Sequence, residues 1–597
     1  MIFYEKLTPM SLLHGLIVRE NVFYGTKSTV TVYVERLLAI FGPASSAQKL
    51  DFGNVASAPD IRSNAYRSAE LSLEHIRGEC WAEHLSRVLK IDFWTVVKKV
   101  FFDELYLKFE FFEIALRYAQ EHPGEQNVIH VEKAFLDQYR ERLEKSFELH
   151  VGVTGDSAGF LSIFLIPLFL KFFAQRHGIL HGERFDNEMI CELDSERSLQ
   201  MFNALFSENV SKKFVMQKRS EQDFSQVSLT QFKFSHLRLT ADGYRYLARF
   251  SWQYILACLR FRKEIKGYGS RLFNIFYALV RGKAEAIDGS GNLYFVYEHL
   301  VTEKFVRNEF LKSQGNTSIF IPMNAHVTPQ YFHSEIFLNY DVMCCAGKHV
   351  EDLYRKKRSL TQRFLPTGSF DSHQKLCKGD AKDARVRRLR AFKGDAVSVT
   401  ILCPGICDPT YSQEVKLINL ARELAAQLDV KVLIRMKPVV PIAKYADFYK
   451  SRTADCESIL LTAGEYQLSD FLEVTDLFIT SVSNSGFDLV LRGGQVMFID
   501  FMKQPDLSIV WSMIKEAVLP EDKAFESARD WINDSAEGPA RAQLRNHMHK
   551  MAVYLGYRFA DFDSYRGNLL SQLHGELGDH PALQVPSRNK ELLAASV

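Results

Sequence analysis

Three predominantly apolar runs, VKVLIRM, DLFITSV and QVMFIDF, stand between residues 430 and 501, separated by short amphipathic stretches. Runs of that length spaced by helical patterns predict parallel strands joined by crossover helices. The same texture begins near Gly289, where the pattern predicts strands at 292–298, 317–322, 341–347 and 363–368 and helices at 299–315 and 348–357. It opens again with a strand at 397–405 and an amphipathic helix at 413–428. Two α/β units facing each other across a cleft are therefore expected, the second more regular than the first.

Upstream the pattern differs. Residues 67–122 turn helical, with aromatic side chains at three- and four-residue spacing through FWTVVKKVFFDELYLKFEFFEIALRYAQ, a stripe expected to pack into a core rather than line a ligand site. Strands are expected at 28–36 and 127–133, and these would complete the first α/β sheet. Residues 175–285 offer helical stretches such as YRYLARFSWQYILACLRFRKEI without a clear overall period. Residues 371–396 lack apolar periodicity and read as an interdomain linker, with Arg385, Arg387, Arg388 and Arg390 on a solvated face. The expected division is a partly helical region at 1–285 on the acceptor side, a Rossmann-like part at 286–370, the linker at 371–396, a nucleotide-donor-binding Rossmann-like domain at 397–510, and helices with a polar tail at 511–597.

At 597 residues the chain exceeds what one core ordinarily holds. It is 47% hydrophobic and 24% charged, as soluble globular proteins are, and a formal net charge of +2 gives no case for a nucleic-acid partner. Nine cysteines without a CxxC pair fit reduced thiols better than a disulfide framework or a zinc site. The start, MIFYEKLTPMSLLHG, has no basic segment followed by an apolar one, so no secretion signal is expected. The most apolar run, AGFLSIFLIPLFLKFFA at 158–174, is broken by Pro167 and Lys171 and falls short of the roughly 20 residues of a bilayer span. It reads first as a buried core helix and second as a membrane-surface element.

In a parallel sheet, ligands bind outside the carboxyl ends of the strands. Two such loops carry the relevant chemistry: Arg435-Met436-Lys437-Pro438, and Ser481-Val482-Ser483-Asn484-Ser485-Gly486. Arg435 and Lys437 can bring positive charge to a leaving phosphate, Arg435 with fork-like hydrogen bonds. Ser483, Asn484, Ser485 and Gly486 open a helix, where free N–H groups and hydroxyls favour a phosphate, although Ser and Asn are equally the preferred helix caps. Asp488 in the same helix reads as a ribose partner or as an acid complementing the helix dipole. Gly405 either lets backbone approach a phosphate closely or makes a turn. His326, in the irregular loop after the strand at 317–322, is the general-base candidate because its ordinary pKa lies near neutrality; the alternative is a hydrogen-bonded loop histidine. His333 and Glu335 rank below it, and Asp156, Asp103 and Glu104 read as structural. With no DxD in a strand context and no His/Cys cluster, no metal ligands are expected.

Laid side by side, these loops resemble those of bacterial GT-B transferases of cell-surface polymer synthesis, above all CDP-glycerol glycerophosphotransferases and related capsule glycosyltransferases. Ala325-His326-Val327-Thr328-Pro329 is similar to a His-Gly-Thr-Pro loop of that group. Asp341, Gly347 and Thr367-Gly368 match a later segment, and Arg435-Met436-Lys437-Pro438 echoes a Lys-x-His-Pro loop. The stretch from Asp476 to Asp488 resembles Asp-x-x-Ile-Thr-Asp-Tyr-Ser-Ser-x-x-Phe-Asp, and the chain departs from these patterns at Val327, Lys437 and Ser481. The resemblance implies an α/β fold of GT-B type, two Rossmann-like domains facing a cleft, with a large helical insertion or extension in the N-terminal half. It implies no tightly bound cofactor; a CMP-, CDP- or UDP-linked donor is expected as substrate, and a polysaccharide or lipid-linked chain as acceptor. A cytoplasmic location with peripheral contact at the inner face of the membrane goes with it. His326, Lys437 and Asp488 take the catalytic roles in that reading, and Gly405, Arg435, Lys437, Ser483, Asn484, Ser485 and Gly486 the donor-binding ones. Rival readings are a nucleotide-sugar epimerase of the same build, and a non-catalytic subunit of a polysaccharide-assembly complex.

Overall fold

The computed structural model describes residues 1–7, 22–27, 48–49, 61–133, 135–152, 162–177, 179–180, 184–193, 196–206, 212–216, 239–265, 268, 271–286, 288–297, 302–323, 336–356, 358–373, 380–403, 412–436, 442–462, 466–481, 484–501, 518–557, 559, 561–578 and 580. They are organised on three parallel sheets of five or six strands.

The first sheet holds β1 (Ile2–Leu7), β2 (Val22–Lys27), β3 (Gln48–Lys49), β4 (Val128–Glu132) and β5 (Glu148–Gly152), in the order β3-β2-β1-β4-β5. Its crossovers carry α1 (Ile61–Leu73), α2 (Glu79–Leu89), the long α3 (Phe93–Glu121) and α4 (Arg140–Ser146). Asp92 caps α3 by accepting from the Thr95 N–H at 3.1 Å, and the aromatic stripe of α3 is buried, as its spacing predicts. The strand expected at 127–133 is β4 of this sheet, and residues 28–36 lie outside the described residues. The N-terminal region therefore carries, with its many helices, a parallel sheet of its own whose strand order reverses between β1 and β4. Its core continues through α5 (Ile166–His177).

After the two-residue β6 (Ile179–Leu180) come β7 (Met189–Leu193), α6 (Glu196–Leu205), β8 (Lys212–Met216) and β9 (Leu239–Thr240). Next follow α7 (Ala241–Arg260), α8 (Arg271–Glu285), β10 (Leu293–Val296), α9 (Thr302–Ser313), β11 (Thr317–Phe320), β12 (Val342–Cys345), α10 (Lys348–Lys356), β13 (Arg363–Pro366) and α11 (Phe370–His373). The second sheet has the order β13-β12-β11-β10-β7-β8. Its first two strands come from 189–216, a stretch in which the sequence showed only helices. Every residue of β7 is buried, so the strand has no alternation to betray it.

The third sheet runs β16-β15-β14-β17-β18-β19. It is built from α12 (Asp380–Lys393), β14 (Val397–Leu402), α13 (Ser412–Gln427), β15 (Val430–Arg435), α14 (Ile442–Thr453), β16 (Ile459–Thr462), α15 (Leu468–Leu472), β17 (Leu477–Thr480), α16 (Asn484–Leu491), β18 (Val496–Asp500), β19 (Val518–Pro520), α17 (Ala524–Asn533) and α18 (Pro539–Leu555). The stretch expected to be a linker contains α12, which buries Val386 and Leu389 in this core and pairs Arg385 with the buried Asp470 at 2.6 Å. Two apolar positions are too few to register as a period.

The chain then crosses back. α18 packs in the third sheet's core, whereas α19 (Phe562–Leu577) buries Phe562, Tyr565, Leu569 and Leu573 against the second sheet. Two doubly wound sheets facing a cleft, with the last helix returned to the first of them, make the architecture GT-B in type, with the first sheet and its helices added at the N-terminus.

Candidate active site in the cleft

The strand orders locate the crevices. In the third sheet the direction of winding reverses between β14 and β17, and in the second between β7 and β10. Each reversal splays the following loops apart at the carboxyl edge, which opens a pocket there. The side chains delivered to these edges meet across the cleft. From the second sheet come Arg197 in the first turn of α6 and the segment from Thr367 through α11; from the third come Arg435 at the end of β15 and Asp488 and Arg492 in α16.

Asp371 sits at the centre. Its carboxylate is buried and pairs through Oδ2 with the Arg197 guanidinium, while its backbone carbonyl accepts from Arg492. Oδ1 is buried without a hydrogen-bond partner among the described residues. Burial pushes the Asp371 carboxyl up, with Arg197 and Arg492 opposing. Asp488, also buried, accepts from the Ser372 hydroxyl at 3.3 Å, and Ser372 and Ser369 hydroxyls lie 2.7 Å apart. Burial lowers the Arg197 guanidinium's hold on its proton, but Asp371 and then Asp488 more than compensate and raise it.

Arg435 is in the opposite condition. Burial first, and then the like charge of Arg197, push its guanidinium down to about 10, with Asp470 opposing. Asp470 is already committed to Arg385. The Arg435 Nε is buried with no hydrogen-bond partner among the described residues, and the guanidinium lies 6.0 Å from the Phe471 ring centre. It remains protonated at neutral pH and lacks a counter-ion of its own among the described residues.

Of the residues singled out in the sequence, Arg435 and Asp488 are thus brought to one cleft. Ser485 is half-buried in the first turn of α16, and Asn484 opens that helix. Gly486 is buried against the sheet: a Cβ there would stand 2.7 Å from Phe498 Cε1 and 2.9 Å from Thr480 Cγ2. Close helix–strand packing therefore requires this glycine whatever it does for a ligand. Ser481 is buried at the end of β17, its hydroxyl without a partner among the described residues. His326, Lys437, Ser483 and Gly405 lie outside the described residues, as do His333, Glu335 and Asp156. The chain leading to His326 starts beside α11, where the Asp371 N–H donates to Met323 O at 2.7 Å. Asp103 pairs with Lys99 and Glu104 with Arg271, both in the N-terminal unit, as the structural reading expects. Among the described residues no three His, Cys, Asp or Glu side chains group as metal ligands.

Sequence reasoning missed Arg197, Asp371 and Arg492. Asp371 fell in the apparent linker, and Arg197 follows a strand that shows no alternation. The one available signal was the short apolar run MICEL just before Arg197.

No family model matches the chain, and no curated protein matches it in sequence. Among solved structures it is similar to a UDP-N-acetylglucosamine 2-epimerase, with 13% identity, a TM-score of 0.38, and coverage of 66% of this chain and 97% of the other. It is similar to the S. aureus MnaA–UDP structure at 9% identity and a TM-score of 0.38, covering 65% and 97%. It is also similar to the wall teichoic acid polymerase TagF soaked with CDPG, at 11% identity and a TM-score of 0.40, covering 70% and 98%. The architecture given above rests on the strand orders and the returning helix.

Proposed function

We propose that the protein is a transferase that takes a nucleotide-activated donor into this cleft and passes a sugar or a glycerol phosphate to a polysaccharide or lipid-linked acceptor. One observation carries the reading: Arg435, at a strand's carboxyl end, is a half-buried cation whose Nε is buried and unpartnered among the described residues, and a second guanidinium, Arg197, lies near enough to destabilise its charge. Two like charges in a partly dry crevice are costly until an anion lies between them, and the guanidinium fork suits phosphate oxygens.

In this reading Arg435 and Lys437 neutralise the phosphate of the departing nucleotide, so its charge is met by side chains rather than by a metal ion. Ser483, Asn484 and Ser485 hold phosphate oxygens at the start of α16, and Gly405 lets backbone approach from the next loop. His326 accepts the proton of the acceptor hydroxyl as that oxygen attacks, and the bonding pair leaves with the nucleotide. Asp488 and Asp371 hold Arg197 in place, and Asp488 is the candidate ribose partner.

The test is thermal-shift screening with CMP, CDP, UDP and GDP. A ligand binding only the native state stabilises it by about 2.7 kcal/mol at a hundredfold excess over Kd. A shift with one nucleotide, lost in Arg435→Met and Lys437→Ala, is the expected result, whereas no shift with any of the four would remove the donor site from this cleft. His326→Ala should keep the shift and lose turnover by about a hundredfold or more, as removal of a general base does; unchanged turnover would exclude His326 as the base.

A further inference from the structure

The apolar run at 158–174 is only half absorbed by the core. Ile163, Ile166, Leu170 and Phe173 are buried, but Phe164, Leu165, Leu168 and Phe172 stand in solvent, Phe172 with 60% of its surface exposed. α7 packs beside α5 and repeats the arrangement: Leu247, Phe250, Tyr254 and Cys258 face inward, while Trp252, Leu256 and Leu259, one or two turns apart, face outward, Trp252 with 62% exposed. Tyr277 of α8 extends the same surface, its ring 5.6 Å from that of Phe169 on α5. Twelve large apolar side chains are exposed among the described residues; α5, α7 and α8 hold six of them, and Phe164 and Leu165, in the single turn Ser162–Leu165 that leads into α5, make eight. Scattered exposed apolar residues need no explanation, but a contiguous group marks a contact surface.

The charges around it name the contact. Residues 243–263 contain Arg245, Arg249, Arg260, Arg262 and Lys263 and no acid, and residues 158–177 contain Lys171 and Arg176 and no acid. Arg249, Arg260, Arg262, Lys263 and Lys171 are exposed. Arg245 pairs with Asp242 at 3.1 Å, which offsets its charge. Along α7 and the turn that follows it the exposed residues include Arg249, Trp252, Leu256, Leu259 and Lys263: an apolar centre with a cation at each end. Trp and Tyr suit the headgroup level, aliphatic side chains the acyl boundary, and Lys and Arg the phosphates. Among the described residues no helix is long and apolar enough to cross a membrane, so this face would lie on a bilayer rather than in it.

We propose that the face shared by α5, α7 and α8 docks the protein onto an anionic phospholipid surface. The inference stands apart from the reading of the cleft, and Arg435→Met protein keeps it. The test is flotation of the full chain with phosphatidylcholine vesicles, with and without phosphatidylglycerol. The native protein floats with the anionic vesicles and is released as salt rises. Trp252→Ser/Leu256→Ser and Phe164→Ser/Phe172→Ser each weaken flotation at least tenfold. Arg249→Gln/Arg260→Gln/Lys263→Gln, confined to exposed charges and so independent of folding, loses about fivefold per charge. The proposal is overturned if the native chain stays unbound with anionic vesicles, or if the charge variant binds as the native protein does. Sedimentation velocity without lipid gives the third outcome: a dimer dissolved by the serine variants would make this face an interface between copies instead.

Discussion

Arg435 shows how one residue can cost stability and serve a ligand at once. Its charge is partly desolvated, repelled by Arg197 and, among the described residues, compensated only by an aspartate that Arg385 already holds. An apolar side chain of similar length relieves all of this, since replacing a poorly compensated buried charge by a hydrophobe is often neutral or stabilising. Arg435→Met should therefore melt at the same temperature as the native protein or a few degrees higher, and should lose the nucleotide-induced shift. A destabilised variant would mean that Arg435 is satisfied without ligand. Glu192 at the end of β7 is the contrasting case. It is buried, and burial alone would raise its pKa, yet Lys304 at 3.0 Å and Arg307 together hold its carboxyl below the usual range. A lowered carboxyl contributes stability that is present above the unfolded-state pKa and is lost as pH falls through the folded one. Glu192→Gln leaves Arg307 as a fully buried cation and should cost roughly 3 kcal/mol at neutral pH, with the gap from the native protein closing in acid. Urea melts across that range would reveal it, and a constant gap would contradict the pairing.

At the scale of elements, two glycines of the surface-polymer resemblance acquire a mechanical reason. Gly347, after β12, would place a Cβ 2.3 Å from the Leu555 carbonyl oxygen, and Gly368, at φ +80°, would place one 3.1 Å from Tyr557 O. The segment joining α18 to α19 lies on both, with the Tyr557 N–H donating to Ala346 O at 3.0 Å. His373 fastens it further: its Nδ1–H donates to Ser369 O, Nε2 accepts from the Phe559 N–H at 3.3 Å, and its ring stacks on Tyr565. These glycines are thus needed where the chain returns to the second sheet, next to α11 and Asp371. Gly347→Ala must displace backbone, not a flexible side-chain tip, and should cost about 1–3 kcal/mol. Differential scanning calorimetry would measure this, and an unchanged melting temperature would show that the segment can lift away without loss.

At the scale of the molecule, three parallel sheets succeed one another, and polar groups tie the first to the second. Glu309 of α9 accepts the Asp92 N–H, which precedes α3, at 3.1 Å and an Asn339 amide N–H at 2.8 Å. The sequence alone determined most of the strands in the second half of this protein, though not β16, β19 or the helix α12. Strands at 293–296, 317–320, 342–345, 363–366, 397–402, 430–435, 477–480 and 496–500 stand where their apolar runs predict them, because each run sits in a regular alternation with helical stretches and turn residues that marks it locally. It also placed Arg435 and Asp488 at strand ends and in the following helix, which is where a parallel sheet puts ligand chemistry. Only the tertiary structure decided the rest. That β7 and β8 complete the second sheet, that β4 belongs to another, and that Arg197, Asp371 and Arg492 meet Asp488 are matters of strand order and domain pairing. Contacts between residues as far apart as Arg197 and Asp371, or Ser372 and Asp488, have no local pattern to carry them. The exposed side of α5 was equally hidden, since the sequence of an apolar helix records how much it prefers to leave water but not which of its faces the core has room to cover.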